Sequence, residues 1–179
     1  MTFLRYLIYF PLLIRFYLSN QKDLIIKDLN TEEKAFDINT CKVFIHRIAV
    51  DKYFRSLFYF RTQGFITNVF RVFYPKEKYF IIDIYSKIGG GVKLAHPYAT
   101  IINAESIGEN LYISHLVTIG EKNGKRPIIG NNVALHANCC IIGGITIGNN
   151  VVVGAGTVVT KDIPDGVTVV AAATRFLQK

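Results

Sequence analysis

The sequence contains no tryptophan, one methionine and only three cysteines, Cys41, Cys139 and Cys140. An odd number of cysteines without metal-ligand spacing does not suit a disulfide framework. It is typical of a reduced compartment, so we expect a cytoplasmic protein.

Long apolar runs are absent as well. The apolar stretch 3–18 is shorter than the roughly 20 residues of a membrane-spanning helix. It also contains Arg5, Pro11 and Arg15, which argue against a span. A signal peptide is not expected either, because Pro11 and Arg15 interrupt the apolar region. We expect the stretch 3–18 to form an amphipathic helix, and two interpretations of this helix stay open. Composition favours packing against its own domain or another subunit, and the alternative is peripheral contact with an anionic membrane surface.

Glycine is nearly missing from the first half of the chain, and aromatic residues are scarce in the second. Residues 1–87 hold 20 of the 23 Phe and Tyr but only one glycine, and they carry +6 of the net charge of +8. The two halves therefore specify different architectures. A basic, aromatic surface also suits nucleic acid, but aromatics at helical spacing are more typical of a core. Because no nucleic-acid-binding motif accompanies them, we expect no such partner.

Capping signals divide the N-terminal part into helices. Asn30 and Glu33 resemble a capping box that opens one short helix. A second helix is predicted over 41–63 with Gly64 as its stop, and a third over the apolar segment 65–74.

A six-residue repeat of aliphatic residues fills the C-terminal part. Glycine follows several of these residues, a pattern typical of short strands joined by tight turns. Since three hexapeptides form one triangular coil, the repeat predicts a parallel β-helix of about four to five coils. We therefore predict a mainly β protein, with a small α-helical region over 1–80 and a β-helix with a C-terminal tail over 81–179. The repeated positions are Ile82, Ile88, Leu94, Ile101, Ile107, Ile113, Ile119, Ile129, Leu135, Ile141, Ile147, Val153 and Val159.

The repeat is interrupted twice. One extra residue is predicted between Leu94 and Ile101, in a segment that contains His96. Four extra residues follow Ile119 and form a basic loop over 121–127, suited to reaching a neighbouring subunit or an anionic ligand. Interruptions of a regular repeat are frequent positions of functional sites.

These motifs resemble the hexapeptide-repeat acyltransferases, most closely their serine O-acetyltransferase-like branch, which includes surface-polysaccharide O-acetyltransferases. The motifs are IGGGVKLAH at 88–96, VTIG at 117–120 and VVVGAGTVVTKDIP at 151–164. The resemblance implies a left-handed β-helix, a homotrimer, and acetyl-CoA as co-substrate in the groove between adjacent prisms. A dimer of trimers through the N-terminal helices is a further option.

The implied chemistry is attack of a hydroxyl on a thioester, and a neutral imidazole can accept the hydroxyl proton near physiological pH. By the resemblance, His96 is the general base. Asp83 would orient it, although its spacing requires a gap. His115 is a candidate to reach an active site across the subunit interface, and a structural role fits it equally well.

The resemblance also assigns residues to the donor. Small side chains would let the pantetheine approach the backbone, and cationic or hydroxyl side chains would lie near the nucleotide phosphates. No metal is expected. The residues assigned to acetyl-CoA are Gly120, Ala137, Ala155, Thr160, Lys161 and Arg175.

Two positions depart from the pattern of serine acetyltransferases. The residue before the catalytic histidine is aspartate in that family and Ala95 here, and the histidine before the loop proline is Arg126 here. Losing a carboxylate removes a partner for an α-ammonium group. We therefore predict a sugar hydroxyl, in surface polysaccharide biosynthesis, as the acceptor. L-Serine, the acceptor of cysteine biosynthesis, is the alternative.

Two other classes stay open. One is a non-catalytic trimeric scaffold, against which His96 at a register break argues. The other is a zinc hydrolase, because His96, His115 and His136 are spaced by nearly one coil. For a transferase we expect direct transfer in a ternary complex, since a buried thiol at the inward position of Cys139 would be inert.

Overall fold

The computed structural model describes residues 2–29 and 40–172, which form five helices followed by fourteen short strands. The capping box predicted at Asn30 and Glu33 lies outside the described residues. No helix in the described part of the chain is long and apolar enough to cross a bilayer. The helices are α1 Thr2–Tyr17, α2 Lys22–Leu29, α3 Thr40–Val50, α4 Lys52–Arg61 and α5 Phe65–Phe73.

The helices enclose an aromatic core of their own. Phe16 of α1 stacks on Phe44 of α3, with ring centroids 4.9 Å apart, and Phe44 also contacts Phe58 of α4. The single helix predicted over 41–63 is wrong. Asp51 interrupts it, because its Oδ1 accepts hydrogen bonds from the N–H groups of Tyr53 and Phe54 and thereby caps α4.

The strands form three parallel sheets, which are the three faces of a triangular prism. The parallel β-helix predicted from the repeat is therefore confirmed. The division into 1–80 and 81–179 stays a prediction. Sheet A contains β1 Phe80–Ile82, β4 Thr100–Ile102, β7 Thr118–Gly120, β10 Cys140–Ile142 and β13 Val158–Val159. Sheet B contains β2 Lys87–Ile88, β5 Ser106–Ile107, β8 Ile128–Ile129 and β11 Thr146–Ile147. Sheet C contains β3 Lys93–Leu94, β6 Tyr112–Ile113, β9 Ala134–Leu135, β12 Val152–Val153 and β14 Thr168–Val169.

One position of the predicted repeat, Ile101, is wrong. Ile82 pairs with Ile102, and Ile102 with Ile119, so Ile102 is the inward residue of β4. Ile102 is 1% exposed, whereas Ile101 is 42% exposed. The interruption after Leu94 therefore adds two residues, and the next step is one residue short. Two successive isoleucines made the register ambiguous, because either one fits the pattern.

Glycine occupies a stacked position at the edge between sheets B and C. A Cβ on Gly108 would lie 2.8 Å from the backbone of Gly130, and one on Gly130 would lie 2.8 Å from Gly148. The coils approach too closely there for any side chain. This explains why glycine follows the inward residue of sheet B in successive coils.

The first coil is covered by the helical part. Leu57 of α4 lies in the β-helix core beside Phe80, and Tyr53 and Phe60 pack against the same cluster. The helices that precede β1 therefore cap this end of the prism. Residues 173–179 of the C-terminal tail lie outside the described residues.

Candidate active site

In four successive coils, the residue two positions after the inward residue of sheet C is a histidine or an alanine. Strand pairing aligns Leu94, Ile113, Leu135 and Val153, and the residue two positions after each of them faces the same prism edge. We call these four residues the histidine edge, at the junction of sheets C and A; they are His96, His115, Ala137 and Ala155. Successive coils are about 4.8 Å apart. The turn that carries His96 is two residues longer than the later ones, and the Leu116 N–H donates to the Tyr98 carbonyl there. Ala137 and Ala155 continue the line from His115 in the next two coils.

The backbone of His96 differs from that of its equivalents. His96 has φ 51°, in the left-handed region, and Ala99 of the same turn has φ 50°. Ala99 is the counterpart of Leu116, Asn138 and Gly156 in the later coils, so the left-handed backbone of His96 is an additional one. A residue other than glycine or asparagine is strained there by about 1–2 kcal/mol. Such strain is frequent at functional sites. His96 therefore lies in a longer, strained turn with its side chain exposed.

His96 borders a groove of about 570 Å³ between sheet C and the junction of α3 and α4. Its walls include Tyr53 and Tyr112, with Lys52 and Lys93 as cations. Among the described residues that line the groove, Asp51 is the one carboxylate. Asp51 is already engaged, because it caps α4 and lies 3.3 Å from Arg47. The groove therefore offers aromatic surface and positive charge.

His115 and His136 have different surroundings. His115 is exposed, with Nδ1 3.3 Å from the Ser114 hydroxyl. His136 lies one position away from the histidine edge and packs its ring against Tyr112, with centroids 5.5 Å apart. In the described part of the chain, no three His, Cys, Asp or Glu side chains are grouped to hold a metal ion. The three histidines considered for zinc are thus not brought together.

A second group of predicted residues lies at the opposite end of sheet A. Pairing aligns Ile82, Ile119 and Val159, each followed by one of these residues. We call them the loop edge, because the loop 121–127 leaves the prism there. The loop edge comprises Asp83, Gly120 and Thr160, with Lys161 next to Thr160.

Asp83 does not meet His96 within one chain. Its Oδ1 accepts a hydrogen bond from the Tyr85 N–H and lies 3.7 Å from Arg126 of the loop. Arg126 also donates to Glu105 at 2.9 Å, which fixes the base of the loop. The two edges lie at opposite ends of the strands of sheet A.

The loop encloses a cationic groove of about 290 Å³. Lys122 and Lys125 pair across its hairpin and line this groove together with Ile142, Gly143 and Thr160. Sequence reasoning identified the loop as basic but not these two lysines as a pair. Their symmetric placement around Asn123-Gly124, a frequent hairpin turn, is the signal that could have found them.

Two predicted positions remain, Arg175 and Cys139. Arg175 lies outside the described residues, so its donor role stays a prediction. Cys139 is fully buried at the inward position, and burial raises the pKa of its thiol to about 12. The thiolate is the nucleophilic form of cysteine, so Cys139 is unsuited to form an acyl intermediate.

Comparisons with known proteins agree with this architecture. Residues 126–161 match the family described as bacterial transferase hexapeptide (six repeats). The resemblance to hexapeptide-repeat acyltransferases of the serine acetyltransferase-like branch is confirmed. The solved serine acetyltransferase of Neisseria gonorrhoeae superposes with a TM-score of 0.66 at 27% identity, covering 88% of this chain and 66% of that one. Soybean serine acetyltransferase complexed with serine gives 0.65 at 26% identity, covering 87% and 69%. The left-handed β-helix fold class is thereby confirmed.

Curated relatives carry two different names. A serine acetyltransferase of Buchnera aphidicola is 32% identical over 171 residues, which are 87% of this chain and 64% of the relative. The putative colanic acid biosynthesis acetyltransferase WcaB of Escherichia coli is 43% identical over 98 residues, 52% of this chain and 60% of the relative. The chain spans less than two thirds of the length of either relative.

Proposed function

We propose that the protein is an acetyl-CoA-dependent O-acetyltransferase in which His96 is the general base. The observation that carries this proposal is the histidine edge. His96, exposed and with a strained backbone, borders a groove there, and small residues follow along the same edge. The His96 imidazole accepts the proton of the acceptor hydroxyl while the oxygen attacks the acetyl carbon. The C–S bond then breaks, and the imidazolium returns its proton to the leaving CoA thiolate.

The donor fits along the same edge. Ala137 and Ala155 have small side chains, which leave room for a pantetheine chain that ends with its thioester at the histidines. His115, one coil from His96, is placed to donate a hydrogen bond to the developing oxyanion, which resembles an oxyanion-hole contact. On the loop edge, Lys122, Lys125 and Lys161 supply positive charge for the phosphates of CoA.

A complete site requires more than one copy, and we propose a homotrimer. Within one chain the two edges lie at opposite ends of sheet A. The outer face of that sheet is apolar, with Ile81, Ile101 and Val158 exposed by 47, 42 and 67%. Placing this face against a neighbour buries it and brings Asp83 towards His96 of the partner subunit. A dimer of trimers stays a prediction.

For the acceptor we propose a sugar hydroxyl, with L-serine as the second candidate. The groove at His96 has Ala95 where a carboxylate would bind an α-ammonium group, and Asp51 is engaged elsewhere. Tyr53 and Tyr112 offer aromatic faces that suit a sugar ring. Serine is supported by the names of the relatives. We also propose a cytoplasmic location, since Cys41, Cys139 and Cys140 are free thiols.

The test is release of CoA thiol from acetyl-CoA with L-serine or a panel of saccharides as acceptor. We expect saccharide-dependent release that falls by roughly 10²–10⁴ in His96→Ala. His46→Ala, at an exposed histidine of α3, is the matched control and should leave the rate unchanged. Release with serine alone would reassign the acceptor. Silence with every acceptor would favour the scaffold class.

A gain-of-function variant separates the two acceptors further. Ala95→Asp places a carboxylate beside His96. If the missing carboxylate explains poor serine binding, this variant should lower the KM for serine and leave the KM for acetyl-CoA unchanged. An unchanged serine KM would show that Ala95 does not decide the acceptor.

A further inference from the structure

Helix α5 turns an apolar face away from the protein. Its nine residues include one buried side chain, Thr67. The spacing of the exposed apolar residues, i, i+1, i+4, i+7 and i+8, places them on one side of the helix. Those residues and their exposed fractions are Phe65 84%, Ile66 55%, Val69 41%, Val72 78% and Phe73 70%. An apolar face of this kind marks an interaction surface.

Helix α1 lies beside α5 and adds to this surface. Arg15 near the end of α1 donates to the Thr62 carbonyl just before α5, and Tyr9 packs against Tyr74 just after α5, with centroids 4.8 Å apart and the ring planes tilted by 43°. The two helices are therefore antiparallel neighbours. Phe10 and Ile14 of α1 are 54 and 45% exposed, and Leu18, directly after α1, is 72% exposed. We call the exposed apolar residues of the two helices the α1–α5 surface.

The charges around this surface are positive. Residues 40–80 contain eight Lys and Arg and two acidic residues, Asp51 and Glu77. Of the cations, Arg61 is buried with Asp28, and Arg47 and Lys52 are paired with these two acids. Both acids are engaged, Asp51 with the α4 cap and Arg47, and Glu77 with Lys52. Lys76 and Lys78, which follow α5, are exposed. An apolar surface with a positive surround is complementary to a bilayer that carries anionic headgroups.

We propose that the α1–α5 surface binds peripherally to an anionic membrane. The aromatic and aliphatic side chains enter the headgroup and acyl boundary, while the neighbouring lysines contact lipid phosphates. Membrane binding does not depend on acetyl transfer or on the acceptor. It is therefore measured in the absence of acetyl-CoA and of any acceptor.

The test is sedimentation of the full chain with vesicles of phosphatidylcholine containing 30% phosphatidylglycerol, compared with pure phosphatidylcholine. We expect binding to the anionic vesicles that weakens as salt is raised. Phe65→Ser with Phe73→Ser should lower the partition coefficient at least tenfold. Lys76→Gln and Lys78→Gln should lower it roughly fivefold each. Tyr85→Ser removes an equally exposed aromatic ring, 71% exposed on the β-helix, and should change nothing.

Three results would overturn the proposal. One is the absence of binding to anionic vesicles by a folded wild-type protein. The second is equal binding by the double phenylalanine variant and the wild type. The third is a wild type that ignores vesicles but becomes a smaller oligomer, by light scattering, when Phe65 and Phe73 are replaced. That result would assign the α1–α5 surface to contacts between copies of the chain.

Discussion

Arg61 and Asp28 form a buried ion pair, with Nε 2.6 Å from Oδ2, that joins the helical part to the first coil of the β-helix. Arg61 also donates to the carbonyl oxygens of Ile88 and Gly89, and Asp28 accepts from the Val92 N–H. Burial raises the pKa of the Asp28 carboxyl, and Arg61 acts in the opposite direction. The ion pair and the backbone groups that it hydrogen-bonds therefore hold one another in place.

Removing one partner of this pair should destabilise the protein severely. We expect Asp28→Ala to lower the free energy of unfolding by about 3–5 kcal/mol, because it leaves the Arg61 charge buried without its carboxylate. The matched control is Lys27→Ala, which breaks the exposed pair with Glu109 and should cost no more than about 1 kcal/mol. Urea unfolding measures both. Equal losses would show that the buried pair does not hold the two parts together.

The stacked glycines give a second stability test. Gly108→Ala places a Cβ 2.4 Å from the Asn131 side-chain oxygen and 2.8 Å from the Gly130 backbone. We expect a loss of about 1–3 kcal/mol from overpacking. Gly124→Ala is the control with open space around it; its φ of +74° costs about 1–2 kcal/mol. If urea midpoints fall less for Gly108→Ala than for Gly124→Ala, close stacking of the coils is not the reason for glycine.

The aliphatic repeat made the prism predictable because each strand is only two or three residues long and one inward residue fixes its register. The predicted register failed where two isoleucines, Ile101 and Ile102, are adjacent, because either one fits the repeat. The predicted helix over 41–63 failed because Asp51 caps a second helix inside an apolar stretch. The pairing of Arg61 with Asp28 joins residues 33 apart, and no local pattern reports it.

The candidate site was predictable in part for the same reason. One position per coil, read along the register, selects His96, His115, Ala137 and Ala155. The position of Asp83 at the other edge became visible only when the sheets were closed into a prism. The left-handed backbone of His96 also could not be read from the sequence, because only a few per cent of non-glycine residues adopt it.

Cys139 should be unreactive in the folded protein. Its thiol is buried and has a pKa of about 12, so almost no thiolate exists at pH 8. We expect a thiol reagent to modify Cys139 only after denaturation, with the labelled residues identified by mass spectrometry. Rapid labelling of Cys139 in the native protein would contradict its inward position.

The pair formed by Glu77 and Lys52 should give the stability a pH dependence. The hydrogen bond from Lys52 lowers the pKa of the Glu77 carboxyl below its ordinary value of 4.5. The stabilisation is therefore present above pH 4.5 and is lost as pH falls through the lower folded-state pKa. We expect the Tm difference between wild type and Glu77→Gln to shrink towards about pH 3. A difference that is constant with pH would contradict this assignment.

We propose that the histidine edge of one copy and the loop edge of the next form one acetyl-transfer site. The measurement is acetyl transfer by His96→Ala and Asp83→Asn, each alone and after refolding together in equal amounts. Alone, each variant should lose most of its activity, because every site contains a defect. In mixed trimers about one site in four combines an intact His96 with an intact Asp83 from the neighbouring copy, so about a quarter of the wild-type rate should return. A mixture no more active than the average of the two variants would contradict a site shared between copies.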